Sequence, residues 1–481
     1  MNIGLILNIL GSATLIIAAF MLLPIVVSII YSQPDFLDLL YSFAITLFFG
    51  FAAYFSTIKS KKEEIRNRDA FLIVTLTWLF IPLFGAIPFL MSGMFSSFTD
   101  AYFEAMAGFT TTGASVLKDI EAQPLGILFW RSMIQWIGGM GIIVFALAIL
   151  PMLGSGGMQL FKAEVPEISV DKLKPRIIDT AKALWFIYVF LTALNVVFLF
   201  MGGMNIYDSI CHAFTTLATG GFSTKNASLG HYESPFIHYT TSLFMFLAGV
   251  NYTLYFCVFR GRLSSVWKAN EFRFYLAFTL IATVMIAVNI YDSFNSIEET
   301  FRHALFQVTS IMTTTGFAST DFGKWHVFSQ IILVIAMLSG GMIGSTAGGI
   351  KQVRILLMLK QGYREIYQLI HPRAVLALKL DEKFLTKEIL GSIWGFVFLF
   401  LTLCVVATLA MAALGIDFIT SATTVISSTC NVGPALGQAG PAENYAFLPD
   451  AGKWVLIFCM LAGRLEIYTV LILFVPAYWK K

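Results

Sequence analysis

Phe109-Thr-Thr-Thr-Gly-Ala-Ser115 is a short string that returns along the chain: Leu217–Ser223 reads LATGGFS, Met312–Ser319 reads MTTTGFAS, and Ser427–Ala435 reads SSTCNVGPA, a looser fourth copy. Aligned on Gly113, Gly221, Gly316 and Gly433, the copies lie 108, 95 and 117 residues apart, so the chain is read as a fourfold internal repeat. Each copy sits at the end of a moderately apolar stretch of about ten to twelve residues, too short to cross a bilayer and therefore a re-entrant half-helix. A long apolar run lies on either side. The expected fold is an all-α membrane protein: a fourfold repeat of helix, re-entrant pore helix, filter loop and helix around one central pore, with two extra transmembrane helices at the N-terminus.

Outward from the repeats, the composition agrees. The chain has 481 residues, 58% apolar and 12% charged, with a mean hydropathy of +0.79. Soluble domains carry about a quarter charged residues, so a separate soluble catalytic domain is excluded. Long runs near 4–30, 37–58, 70–92, 125–150, 182–202, 236–259, 273–291, 327–357, 388–414 and 453–477 read as spanning helices. They are continuous rather than alternating, which argues against a barrel. The first run is longer than a signal-peptide core and is read as a mature span. The units expected are 1–68 (the two extra helices), 69–178, 179–272, 273–384 and 385–481 (pore repeats one to four).

Basic residues set the orientation, because cytoplasmic segments hold the excess of Lys and Arg. One side receives Lys59, Lys61, Lys62, Arg66, Arg68, Lys162, Lys172, Lys174, Arg176, Lys182, Arg260, Arg262, Lys268, Arg273 and the basic stretch 351–387, together with Lys480 and Lys481. The other side receives Lys118, Lys225, Arg302, Lys324 and Lys453. Both termini are therefore expected in the cytoplasm. A net charge of +3 gives no case for nucleic acid. Cys211, Cys257, Cys404, Cys430 and Cys459 are odd in number and lie in or beside apolar runs, so they read as reduced small residues.

Non-helical backbone at membrane depth must be buried in protein or line a watery cavity, and four such loops around an axis imply a pore. Glycine admits positive φ, which lets carbonyls turn to the axis and replace the hydration shell of a monovalent cation. The filter residues are Thr111, Thr112, Gly113, Thr219, Gly220, Gly221, Thr314, Thr315, Gly316, Asn431, Val432 and Gly433. Hydroxyls of Thr110–Thr112 and Thr313–Thr315 are expected to brace the backbone. Four helix C-termini would each direct about half a negative charge at the cavity. The bland alternative for any single copy is an ordinary helix-ending turn.

With DAYFEAMAGFTTTG (Asp100–Gly113), RSMIQWIGGMGIIVFALAILP (Arg131–Pro151), GGMQLFKAE (Gly156–Glu164), SGGMIGSTAGGIKQVR (Ser339–Arg354), STCNVGP (Ser428–Pro434) and GRLEIYT (Gly463–Thr469), the chain resembles the Trk/Ktr/HKT superfamily of potassium transporters, most closely its TrkH type. The resemblance implies one filter Gly per repeat, and Gly rather than Ser at the first position, Gly113, implies preference for potassium over sodium. It implies a potassium ion as cargo and no covalent cofactor. As partners it implies a second copy of the chain in a homodimer and a cytosolic nucleotide-binding ring of TrkA-like type, besides the lipid bilayer. The place implied is a bacterial inner membrane. The basic 351–387 stretch and the 154–176 segment are the docking surfaces expected for the ring. Repeat four departs from the pattern, with Cys430, Asn431 and Val432 in place of the Thr run.

Two further features belong to the pore. Ser339–Gly349 holds five glycines in eleven residues, too little helix propensity for a plain span. The helix is expected to break there, below the filter of this one repeat, and the resemblance implies that Gly340, Gly341, Gly344, Ser345, Thr346, Gly348 and Gly349 form an intramembrane gate, the alternative being close helix packing through small residues. Arg464, inside the last span, is costly unless it faces protein or water. By resemblance it is an electrostatic barrier below the filter, and the alternative is an ion pair with Glu466 or another acid. Asp100 and Asp208, each thirteen residues before a filter Gly, are read as helix-start caps, and Glu104 and His212, each nine before, as buried supports. His231, Glu233 and His238 fit a solvated outer connection better than a metal site. No HExxH, GxSxG or Walker string supports an enzyme. Uptake through a pore is thus set against a proton- or sodium-coupled potassium carrier.

Overall fold

The computed structural model describes residues 2–58, 67–148, 173–374, 377–381 and 383–480. The basic residues at 59–66 and 162–172, and the GGMQLFKAE string, lie outside the described residues. So does nearly all of the 154–176 segment. The rest is predominantly helical, with a two-stranded antiparallel hairpin, β1 (Lys379–Leu380) and β2 (Lys383–Phe384), on the basic side.

Helices α1 (Ile3–Ile30) and α2 (Phe36–Ser56) form a hairpin. They cross closely because Gly11 lies on the backbone of Ala53 and Tyr54, and Gly50 on Leu15, the small-residue contact that suits helices in lipid. The hairpin docks on the rest through Asp35. Its carboxylate accepts from Ser28 Oγ at 2.5 Å and from the Ile127 amide at 2.8 Å, at the positive N-terminal end of α5.

The remaining helices repeat one plan. Helix α3 (Asn67–Gly85) leads to the pore helix α4 (Phe98–Phe109) and α5 (Leu125–Ala148); α6 (Leu173–Met201) leads to α7 (Ile206–Leu217), then α8 (Pro235–Ala248) and α9 (Tyr252–Phe259). Next come α10 (Asn270–Asn289), α11 (Ile297–Met312), α12 (Val327–Ser339) and α13 (Gln352–Ile370), then α14 (Lys387–Ala413), α15 (Phe418–Cys430), α16 (Asp450–Arg464) and α17 (Tyr468–Leu471). The pore helices α4, α7, α11 and α15 have 12, 12, 16 and 13 residues. At 1.5 Å per residue they reach about 18–24 Å, short of the roughly 30 Å hydrocarbon core.

Among the described residues, six helices are long and apolar enough to cross a membrane: Ile3–Ile30, Phe36–Ser56, Arg68–Met91, Thr180–Met201, Asn270–Asn289 and Lys387–Ala413. The expectation of continuous spans needs correction in two places, in repeats two and four, while the break expected at Ser339–Gly349 is present. Helices α8 and α9 are bent by 95° across Gly249–Asn251, α16 and the helical turns after it by 111° across Leu465–Ile467, and α12 stops at Ser339. The break expected in one repeat therefore occurs in three.

Two predicted caps are also corrected. The N-cap of α7 is Asn205, whose side chain accepts from the Asp208 amide, and that of α4 is Ser97. Asp100 and Asp208 lie in the first turn instead. There Asp100 pairs with Lys453 at 2.5 Å, and Asp208 accepts from Thr224 and Tyr232 at 2.5 and 2.9 Å.

Candidate functional site: a ring of four helix-ending loops

All four pore helices end in the same turn. The N–H of Thr111, Thr219, Thr314 and Asn431 bonds the carbonyl three residues back, and the N–H of Thr112, Gly220, Thr315 and Val432 bonds the carbonyl five back, at 2.8–3.2 Å. This is the Schellman arrangement, so the bland reading holds for each copy locally. What is unusual is the residue in the left-handed position. That place normally takes Gly or Asn, yet Thr111, Thr219 and Thr314 hold it with φ of 52°, 53° and 58°. A left-handed non-glycine residue costs about 1–2 kcal/mol. Asn431 (φ 58°) keeps the same conformation, so the departure in repeat four leaves the backbone unchanged.

Two residues on, Gly113, Gly221, Gly316 and Gly433 have φ of 76°, 76°, 82° and 106°. Each needs to be Gly for a second reason. A Cβ on Gly113 would strike the Gly220 carbonyl, on Gly221 that of Thr315, on Gly316 that of Val432 and on Gly433 that of Thr112. The contacts run from loop one to two, two to three, three to four and four back to one. The four loops therefore close into a ring, with Thr112, Gly113, Gly220, Gly221, Thr315, Gly316, Val432 and Gly433 at its joints.

Side chains behind the ring hold it. In loops one and three the hydroxyls of Thr110 and Thr112, and of Thr313 and Thr315, bond each other at 2.7 and 2.8 Å. Glu104 accepts from Ser115 Oγ (2.8 Å) and the Val116 amide (2.9 Å), and pairs with Arg131 Nε at 2.7 Å. Arg131 also donates to the Ser223 carbonyl at 3.0 Å and lies over the Phe222 ring. His212 bonds Ser223 Oγ at 2.9 Å and Gln307 donates to Ser319 Oγ at 3.3 Å. Glu104 and His212 are thus buried supports, as expected. His238 is tied to Leu229 O and Arg302, and His231 is exposed.

Beneath the ring lies Gly340–Lys351. Positive φ at Gly340, Gly344 and Gly349 (68°, 75° and 77°) lets this chain fold as a buried coil that touches three repeats. The Gly348 amide donates to Thr314 Oγ1 at 2.7 Å. Thr346 Oγ1 donates to the Leu217 carbonyl at 3.0 Å, and Gly348 abuts the Cys430 carbonyl. Met342 and Gly344 join this coil to the break in repeat two: Met342 N bonds Gly249 O (2.9 Å) and Tyr252 N bonds Gly344 O (3.1 Å), while Ser345 Oγ donates to the Met342 carbonyl within the coil at 2.6 Å. Glu271 accepts from the Ile343 and Val353 amides at 2.9 and 3.2 Å.

Arg464 is 3% exposed and donates from Nη1 to the Thr346 carbonyl at 2.8 Å. Its Nε and Nη2 have no protein acceptor among the described residues. The alternative ion pair with Glu466 does not form; Glu466 pairs with Arg354 at 2.6 Å. Sequence reasoning missed Gln135, Asn251, Glu271, Tyr445 and the Arg354–Glu466 pair. The available signal was a polar or charged residue inside or beside an apolar run.

A multi-pass helical membrane protein in which four helix-ending loops close into a ring, with a coil and the buried Arg464 below it, has the architecture of a membrane transport protein. The chain belongs to the TrkH family, described as cation transport proteins, whose model matches residues 38–481. It is 40% identical over 479 residues to the Trk system potassium uptake protein TrkH of Escherichia coli K12, covering 98% of this chain and 99% of that protein. It is 40% identical over 486 residues to the TrkH protein of Halomonas elongata, covering both in full. The crystal structure of the potassium transporter TrkH from Vibrio parahaemolyticus superposes with a TM-score of 0.92 at 37% identity, covering both chains completely.

Proposed function

We propose that this chain takes up potassium across a bacterial inner membrane through the ring of loops, which acts as a carbonyl-lined selectivity filter. The observation that carries the proposal is the closed circuit of contacts, in which every filter Gly sits against a carbonyl of the next loop. Four backbone segments held so close present carbonyl oxygen to a dehydrated monovalent cation, and four pore-helix C-termini add partial negative charge. Names of relatives, potassium uptake proteins in Escherichia coli and Halomonas elongata, support the choice of ion.

In this reading the Gly340–Gly349 coil is the gate and Arg464 the barrier under it. Opening requires the coil to leave Thr314, Leu217 and Cys430. A cytosolic nucleotide-binding partner that pulls on α13, which follows the coil directly, would supply that movement, with both termini of the chain on the partner's side. Pairing with a second copy is supported by the exposed stripe Leu359, Tyr363, Ile366 and Ile370 on α13. The test is rubidium or potassium flux into liposomes holding only this protein, with reversal potentials at varied sodium and pH. A reversal set by potassium alone supports a pore; one that shifts with the proton or sodium gradient replaces it with a coupled carrier.

A further inference from the structure

The four loops are not braced alike. Loops one and three carry a Thr on each side of the left-handed residue, and the two hydroxyls tie the turn to itself. Loop two has Ala218 and Gly220 at those places, and loop four has Cys430 and Val432, so neither can form the hydroxyl pair. Loop two is the freer of these, since Gly220-Gly221 removes two side chains in succession and glycine has the largest conformational freedom.

What holds it comes from another repeat. Gln135, on α5 one turn beyond Arg131, is fully buried. Its Nε2 donates to the Gly220 carbonyl at 2.7 Å and its Oε1 accepts from the Phe222 amide at 3.0 Å. One side-chain amide thus straddles Gly221, using both its donor and its acceptor. It also fills the space of the missing side chain: the three atoms nearest a Cβ on Gly220 all belong to Gln135. Loop four has external ties of its own, with Asn431 Nδ2 on Met460 O (3.0 Å) and Thr112 Oγ1 (2.9 Å), and Tyr445 OH on Gly433 O (2.6 Å).

We infer that Gln135 is a positioning residue for ion selectivity: its amide fixes the Gly220 carbonyl and so holds loop two in register with loops one and three, in place of the hydroxyl pair those loops possess. The inference rests on the ring being the selectivity filter. The Gly220 carbonyl is also the group that Gly113 abuts, so its release loosens the joint between loops one and two. A loosened joint adapts to a smaller cation as readily as to potassium, and discrimination falls.

The experiment compares Gln135→Met and Gln135→Leu, which put an apolar side chain of similar bulk in the buried position but carry neither the amide donor nor the amide acceptor. Each is reconstituted as the full chain in liposomes, and the potassium-to-sodium permeability ratio is read from reversal potentials beside Gly113→Ser. The expected result is a ratio lowered about tenfold in both Gln135 variants, the scale of one net hydrogen bond, in protein that still conducts potassium. A merely structural role would lower both fluxes together and leave the ratio alone. If Gly113→Ser changes the ratio and neither Gln135 variant does, this inference is overturned while the filter reading stands. If Gly113→Ser is also without effect, the filter reading itself fails. If neither Gln135 variant yields folded protein, the amide is a support of the fold and the inference is overturned.

Discussion

At the scale of single residues, the ring is decided by glycines at which a Cβ would displace a carbonyl of the next loop. A Cβ at Gly113 meets both a positive φ and the Gly220 carbonyl, so Gly113→Ser should displace that carbonyl and raise sodium permeability relative to potassium. Reversal potentials in mixed sodium and potassium read this directly, and unchanged selectivity in folded protein removes Gly113 from the filter. In the proposed reading Arg464 acts by charge rather than shape. Two unit charges about 4 Å apart repel by roughly 4 kcal/mol at an effective dielectric of 20, so Arg464→Ala should raise basal potassium flux; a fall in flux would make it a structural residue. Arg131 belongs to the frame. Arg131→Met strands the buried Glu104 carboxylate, and breaking a buried pair costs about 3–5 kcal/mol, which thermal unfolding in detergent should register as a markedly lowered midpoint. Gly113, Gly221, Gly316 and Gly433 were legible because their string recurs. Gln135 was not, because nothing in the sequence of α5 says which loop its amide will reach.

Elements behave differently, because a helix can be broken by what surrounds it. The five glycines of Ser339–Gly349 announced their break. Those at Gly249–Asn251 and Leu465–Ile467 did not, since one Gly and no Gly respectively carry little propensity signal. In repeat two the break is held by Asn251, which caps the Thr253 amide at 2.9 Å, and by the bond from Tyr252 N to Gly344 O. In repeat four Glu466 and Ile467 are left at φ of 55° and 20°, and the Glu466–Arg354 pair ties that bend to α13. The same interior explains the misplaced caps. Thirteen residues before the filter Gly is the first turn, and the cap lies three residues earlier. For the coil itself, shortening Gly340–Gly349 should leave selectivity intact, since the ring belongs to other residues, while raising flux in the absence of any cytosolic partner. A shortened, folded, selective protein that remained fully closed would make the coil a packing feature.

Over the whole molecule, polarity is inverted relative to a soluble protein. Large apolar side chains such as Phe48, Phe186, Val288 and Phe398 are exposed, 61–74%, as suits a surface facing lipid, while most Thr and Ser side chains of the pore helices and loops, among them Thr110–Thr112, Thr215, Thr216, Thr313–Thr315 and Ser427–Thr429, are buried at the centre. That inversion, and the number of repeats, could be read from composition and spacing. The closure of the ring could not, because contacts between Gly433 and Thr112 join residues more than 300 positions apart and leave no local trace. In the proposed reading this ring, by itself, selects potassium. It is tested most directly by reconstituting the purified chain alone in liposomes and measuring reversal potentials under opposed potassium and sodium gradients. The expected reversal follows the potassium gradient in the unaltered chain and moves toward the sodium gradient in Gly113→Ser. A reversal indifferent to potassium, or identical in the two proteins, would contradict it.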